Sequence, residues 1–186
     1  MPSHIFFALG LWDDAIEANS ASLKISRAEG EGGYHALLWL EYAYLQKNMR
    51  PEAAELVRSV AHDVAVNPTR ENRLRLAFAR ATWLVETRAA AGPDANLAVD
   101  SSGITSFGYF AVHDFARGIS AAAAGDLAGA RSALTQLRAR CEVAPTGTTP
   151  VTAAWYDETS AGELTEAKAM ADALEGTIQF YSGKHA

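Results

Sequence analysis

The chain has 186 residues, 49% of them hydrophobic and 20% charged, with 22 acidic against 16 basic side chains and a net charge of −6. These proportions belong to a folded globular protein rather than a disordered one, and the acidic excess argues against a nucleic-acid surface, which needs a surplus of Lys and Arg. No run reaches the apolar length of a membrane span, the opening Met-Pro-Ser-His-Ile-Phe-Phe lacks the basic flank of a secretion signal, and the lone Cys141 allows no internal disulfide. A cytoplasmic location is therefore expected, with neither nucleic acid nor membrane as a partner.

In chain order, Trp12, Ala15, Ile16, Asn19 and Leu23 recur three and four apart and predict a first long helix. It is entered from a turn at Gly10, with Asp13 and Asp14 where carboxylates favour the free N–H groups of a helix start. Residues 29–33 (Glu-Gly-Glu-Gly-Gly) form an acidic, Gly-rich link that repels phosphate. The run 34–45 is apolar nearly all round, as in a helix covered on several sides. Asn48 suits its end and Pro51 the first turn of the next helix, whose face carries Ala53, Val57, Val60, Ala61 and Val64. Asn67-Pro68 closes that pair of helices and opens the next. Later, Leu127, Ala130, Leu134, Leu137 and Cys141 share one helix face behind a Gly125-Asp126 turn, and Leu164, Ala167, Ala171, Leu174, Ile178 and Tyr181 share another. Two irregular stretches, 92–103 and 142–152, are long enough to be candidate functional insertions. No sustained alternation of β-branched residues predicts a sheet, so the fold class is all-α.

Four short stretches repeat one another. They are Ala8-Leu9-Gly10-Leu11-Trp12-Asp13-Asp14-Ala15-Ile16, Gln46-Lys47-Asn48-Met49-Arg50-Pro51-Glu52-Ala53-Ala54, Ala124-Gly125-Asp126-Leu127-Ala128-Gly129-Ala130 and the shorter Tyr181-Ser182-Gly183-Lys184. Each has a helical run and a tight turn and, where the chain continues, an Ala in the first turns of a second helix, which is the pattern of a helical-hairpin array. These residues resemble the tetratricopeptide repeat. The best copies are 107–140, with Gly118, Gly125, Ala130 and Leu137, and 34–64, with Leu37, Leu40, Tyr44, Ala53 and Val60. A degenerate copy at 76–100 has Trp83 where a small residue is usual and room for only a short second helix. The marker alanines Ala15, Ala53, Ala95 and Ala130 lie 38, 42 and 35 residues apart, a drift from the family's period of about 34 that implies lengthened links. The resemblance implies one domain over 1–186, a right-handed superhelical array of antiparallel helix hairpins with about eight helices. The hairpins fall at roughly 1–28, 31–66, 69–103 and 104–141, with a partial one at 157–186. Neither end carries a polar capping helix, so a fragment of a longer array, or self-association through an end, is expected.

Function in this family resides on the inner groove lined by first helices. Projection of the helical pattern puts His4, Phe7, His35, Leu38, Tyr42, Leu45, Gln46, Arg80 and Thr87 toward that groove, with Phe115 and Ile119 farther along. The mixture suits a protein or peptide partner presenting an apolar segment, with no cofactor required. The family's clamp for a C-terminal carboxylate needs Lys and Asn where this chain has His4, Trp39 and similar residues, which disfavours chaperone tails. Two other classes stay open. His4 and His35 can bind an anion with Arg80, or zinc with a carboxylate such as Glu41, giving a small-molecule or metal-dependent activity. Alternatively the hairpins are a structural or self-association module. Against a metal stand the absence of a His-Glu-x-x-His run or Cys pair and a total of five His, so His35 is expected to donate to a backbone carbonyl beside Trp39 and Tyr42. Trp12, Tyr34, Trp39, Tyr42 and Tyr44 are expected mainly as packing between hairpins. Cys141 continues an apolar stripe and reads as a small hydrophobe despite Arg138 and Arg140 nearby. Gly118-Ile119-Ser120 lacks the context of a nucleophile elbow, and no catalytic constellation emerges, so the chain is not expected to be an enzyme.

Overall fold

A computed structural model describes residues 3–30, 32–88, 92–95, 97–102, 104–143 and 161–183. Among them are eight helices and no strand: α1 (Ser3–Leu9), α2 (Trp12–Ala28), α3 (Tyr34–Gln46), α4 (Arg50–Val66), α5 (Arg70–Thr87), α6 (Phe107–Ala123), α7 (Leu127–Val143) and α8 (Ala161–Tyr181). No helix among the described residues is long and apolar enough to cross a membrane. The expected insertion at 142–152 lies beyond Val143 outside the described residues, as do 1–2 of the first expected repeat and 157–160 and 184–186 of the last.

The helix ends follow the chemistry of their residues. Gly10, Asn48, Gly125 and Gly183 sit at φ +70°, +56°, +81° and +72°, the left-handed conformation that terminates a helix and that Gly, then Asn, enters at least cost. Pro51 occupies the first turn of α4. The Asp126 carboxylate accepts from the Gly129 N–H at 2.8 Å, while Thr69 and Ser106 accept from Asn72 N and Tyr109 N at 3.1 and 3.3 Å. Each such cap stabilises its helix by about 1 kcal/mol.

Among the described residues every helix packs on its neighbour in the chain, and beyond nearest neighbours α3 packs on α5 and α6 on α8, while side chains of α1 meet those of α3. The marker residues Ala15, Ala53 and Ala130 are fully buried at the starts of α2, α4 and α7, where a methyl group lets two helices approach closely. Gly118 does the same on α6: a Cβ there would stand 2.5 Å from a Leu174 methyl group of α8. The core is a series of clusters along the chain. Leu23, Leu37, Leu40 and Val60 fill the space among α2, α3 and α4, Val57, Ala79, Trp83 and Leu84 join α4 to α5, and Ile119, Leu137, Leu174 and Ile178 join α6, α7 and α8.

The expected hairpin at 69–103 differs. Its first helix is α5, but no second helix occurs among the described residues; residues 93–95 are a turn and 97–100 have no regular secondary structure. The local sequence explains this. Pro93 cannot continue a helix, Gly92 takes φ +120°, and Leu97-Ala98-Val99-Asp100 alternates buried-side and exposed-side residues with the period of an extended chain. The segment still does the packing of the absent helix. Ala95, the marker alanine, is buried against Ala53 and Ala79, and Leu97 and Val99 cover the cores of α3 to α5. Arg58 holds Asp94 at 3.1 Å, Arg73 holds Asp100 at 3.0 Å, and Arg80 donates to the Ala95 carbonyl at 2.9 and 3.2 Å.

Candidate functional site

Side chains four and three apart on one helix lie on the same face, so His35, Trp39 and Tyr42 form a row along α3 and His4 and Phe7 a shorter row on α1. The left-handed turn at Gly10 folds Trp12 back beside Phe7. The rows interlock into a cluster of six rings. Phe7 lies 4.6 Å from Trp39, 6.0 Å from Tyr42 and 5.9 Å from Trp12, and Trp12 meets Tyr42 edge-on at 6.0 Å. Trp39 presents its ring to both histidines, at 5.0 Å for His4 and 6.2 Å for His35. The two histidines approach at their Nε2 atoms, 3.4 Å apart, with ring centroids at 5.5 Å. Both are exposed, whereas Phe7, Trp12, Trp39 and Tyr42 are half-buried. His35 therefore pairs with His4 rather than with the backbone carbonyl expected for it.

His35 also lines a cleft of about 500 Å³ between α2, α3 and α5. His35 and Leu38 form the α3 wall, Ser22 and Ser26 the α2 wall, and Arg75 and Phe78 the α5 wall. The Arg75 guanidinium lies 3.7 Å over the Tyr34 ring, pairs with Glu71 and donates to Asn72 Oδ1 at 3.2 Å. The Tyr34 hydroxyl donates to Asp63 at 2.9 Å, and burial, with that hydrogen bond second, raises its pKa. Gly33 at φ +61° allows the link to turn into α3, and a Cβ on Gly32 would overlap the Tyr34 ring.

The projected groove residues thus divide. His4, Phe7, His35 and Tyr42 meet in the ring cluster, and Leu38 lines the cleft beside it. Gln46 extends the same face and donates to Glu86 of α5 at 2.9 Å; burial, then the Glu86 charge, raises the Tyr42 pKa. Leu45 packs into the core between α4 and α5. Thr87 turns back to the Trp83 carbonyl. Arg80 is spent on the Ala95 carbonyl, where burial lowers its pKa, and it does not join the histidines. Phe115 and Ile119 belong to the core of α6 to α8. The α5 side chains that do reach the cleft, Arg75 and Phe78, were missed by the projection. Phe78 lies two residues before Arg80, about 200° round the helix, and a register set by the Tyr34-Leu38 row of α3 would have found it.

Glu41 is no partner for the histidines. It lies six residues past His35, about 240° round α3, fully buried, with neither carboxylate oxygen hydrogen-bonded, and desolvation holds its pKa well above the ordinary value. Among the described residues no three His, Cys, Asp or Glu side chains gather. Burial likewise pushes the half-buried Cys141 thiol up, and its side chain packs against the α6 to α8 core. What the site offers is a stacking and apolar surface, two imidazole nitrogens at its rim, and a cationic wall at Arg75. Comparison with protein-family models, curated proteins and solved structures finds no match to this chain.

Proposed function

We propose that this chain is a tetratricopeptide-like helical-repeat scaffold, a right-handed array of helix pairs, that binds a protein or peptide segment on the face formed by α1, α3 and α5. One observation carries the reading: the half-buried rings of Phe7, Trp39 and Tyr42 cluster with His35, which also lines the 500 Å³ cleft together with Leu38. Packing limited to helices one or two places apart, with α3 on α5 and α6 on α8, supports the array. Aromatic side chains that are already ordered by each other lose little entropy on binding and supply large apolar area, which favours an apolar helix or extended peptide as occupant. Arg75 and the serines of the cleft would fix its direction.

The test is to pan a phage-displayed library of random peptides against the full chain and to measure the affinity of the enriched peptides for variants. Enrichment of peptides with aromatic or aliphatic anchors is expected. Their affinity should fall about tenfold or more in Tyr42→Ala and in Phe78→Ala, as for anchor contacts at an interface, with the helical circular dichroism retained. Ser132→Ala, exposed on α7, should change nothing. Absence of enrichment, or affinities unmoved by both groove variants, overturns the reading.

A further inference from the structure

We propose that His4 and His35 form a two-histidine chelate for one divalent transition ion of the zinc or nickel type, with the remaining coordination positions open to solvent. The distance between the two rings carries this, whatever occupies the cleft. An N–H···O hydrogen bond in a protein closes to about 2.9–3.0 Å. The Nε2 atoms stand at 3.4 Å, so as a hydrogen bond the pair is loose. Two imidazoles sharing one tetrahedral ion, each at about 2.05 Å, hold their nitrogens about 3.3 Å and their ring centres about 5.2 Å apart. The observed 3.4 and 5.5 Å lie within about 0.3 Å of that spacing.

The setting agrees. Both rings are exposed, so an ion reaches them from water, and both come from helices rather than loops. Trp39 stands edge-on to both imidazoles, at 5.0 and 6.2 Å between ring centres, and Phe7 backs Trp39. The ligands are the Nε2 atoms, the ring positions farthest from the backbone. Two imidazoles select borderline ions over calcium or magnesium, which require oxygen. The chain's net charge of −6 raises the local concentration of cations.

The position of Trp39 gives the experiment a direct readout. The full chain is titrated with zinc chloride by calorimetry and with nickel chloride by tryptophan emission, nickel being a quencher at short range. One equivalent of ion is expected, with a saturable loss of emission. His4→Gln and His35→Gln should each weaken binding more than about tenfold, and the Ala versions should act the same, all with unchanged circular dichroism. His62→Gln should bind as the parent does. Trp39→Phe should keep the zinc heat and lose the nickel quenching that belongs to this site. Magnesium should give no heat. The proposal is overturned by the absence of saturable binding at millimolar zinc and nickel, or by binding that survives the change of both His4 and His35.

Discussion

Glu41 is a carboxylic acid in the interior of α3, on the same face as Leu38 and Leu45, with no hydrogen-bond partner on either oxygen. Loss of water disfavours its anion and raises its pKa well above the ordinary value. In the unfolded chain the same carboxyl loses its proton near pH 4.3 or so, at the ordinary value of about 4.3. Between that value and the raised one the unfolded state has released a proton that the folded state keeps. Stability therefore falls as pH rises through this window and levels off above it. Glu41→Gln keeps the shape and removes the charge. Its stability relative to the parent should grow from near pH 4.5 toward pH 8, by about 1.4 kcal/mol for each unit by which the folded pKa is raised. Urea denaturation of both chains at the two pH values measures this, and a difference that does not change with pH would contradict it. The same residue shows the limit of reading sequence at this scale. The approach of His4 to His35 follows from α1 and α3 being neighbouring first helices. The fate of Glu41 does not, because an acid inside an apolar run looks like a ligand until its angle round the helix is fixed. Arg80 was misplaced for the same reason, since its angle on α5 depends on packing with the 92–102 segment.

At the scale of elements, helix ends were legible and the contents of one link were not. Gly10, Asn48, Gly125 and Gly183 announce their turns because few residues enter the left-handed conformation cheaply, and that preference is local. The link after α5 was expected to hold a short second helix, since Ala95 keeps the spacing of the marker alanines. Pro93 and the two-residue alternation of 97–100 prevailed, and Leu97 and Val99 cover the α5 core from a segment without regular secondary structure. Gly118 was expected as a close-approach position, and the close approach is to Leu174 of α8. A methyl group at 118 brings opposing effects. Ala is favoured over Gly inside a helix by about 1 kcal/mol. Overpacking a filled core costs about 1–3 kcal/mol, and the fully buried Leu174 would have to shift, since even its Cγ would stand 3.2 Å from the new methyl group. The clash outweighs propensity, and Gly118→Ala should lower stability by about 1 kcal/mol in urea denaturation. Leu174→Val in the Gly118→Ala background should cost less than in the parent, because the two sites share one space. Equal costs in both backgrounds would show that the helices can part to accept the methyl group.

At the scale of the whole molecule, the pattern of contacts matters more than any one of them. Substantial packing joins only helices one or two places apart, and the clusters of α2 to α5 and of α6 to α8 meet across α5 and α6, where Ala116 packs into the α4 and α5 cluster. If the helices stack as the proposed array, stability is a sum over neighbouring interfaces, and damage to one of them stays near its origin. Leu174 tests this. It is fully buried at the meeting of α6, α7 and α8, and Leu174→Ala removes its packing at a cost of about 2–5 kcal/mol. In a fold with a single cooperative core, that loss would lower amide protection in all helices alike. Here it should speed hydrogen exchange in α6, α7 and α8 while α2 to α4 keep the protection of the parent, with α5 between the two. Exchange read by mass spectrometry on peptides from each helix distinguishes the cases. Protection lost uniformly from α2 to α8 would mean that the seam between α5 and α6 transmits unfolding. The α1, α3 and α5 face would then depend on the far end of the chain for its order, and the affinity of the peptide proposed to bind there would fall in Leu174→Ala as well.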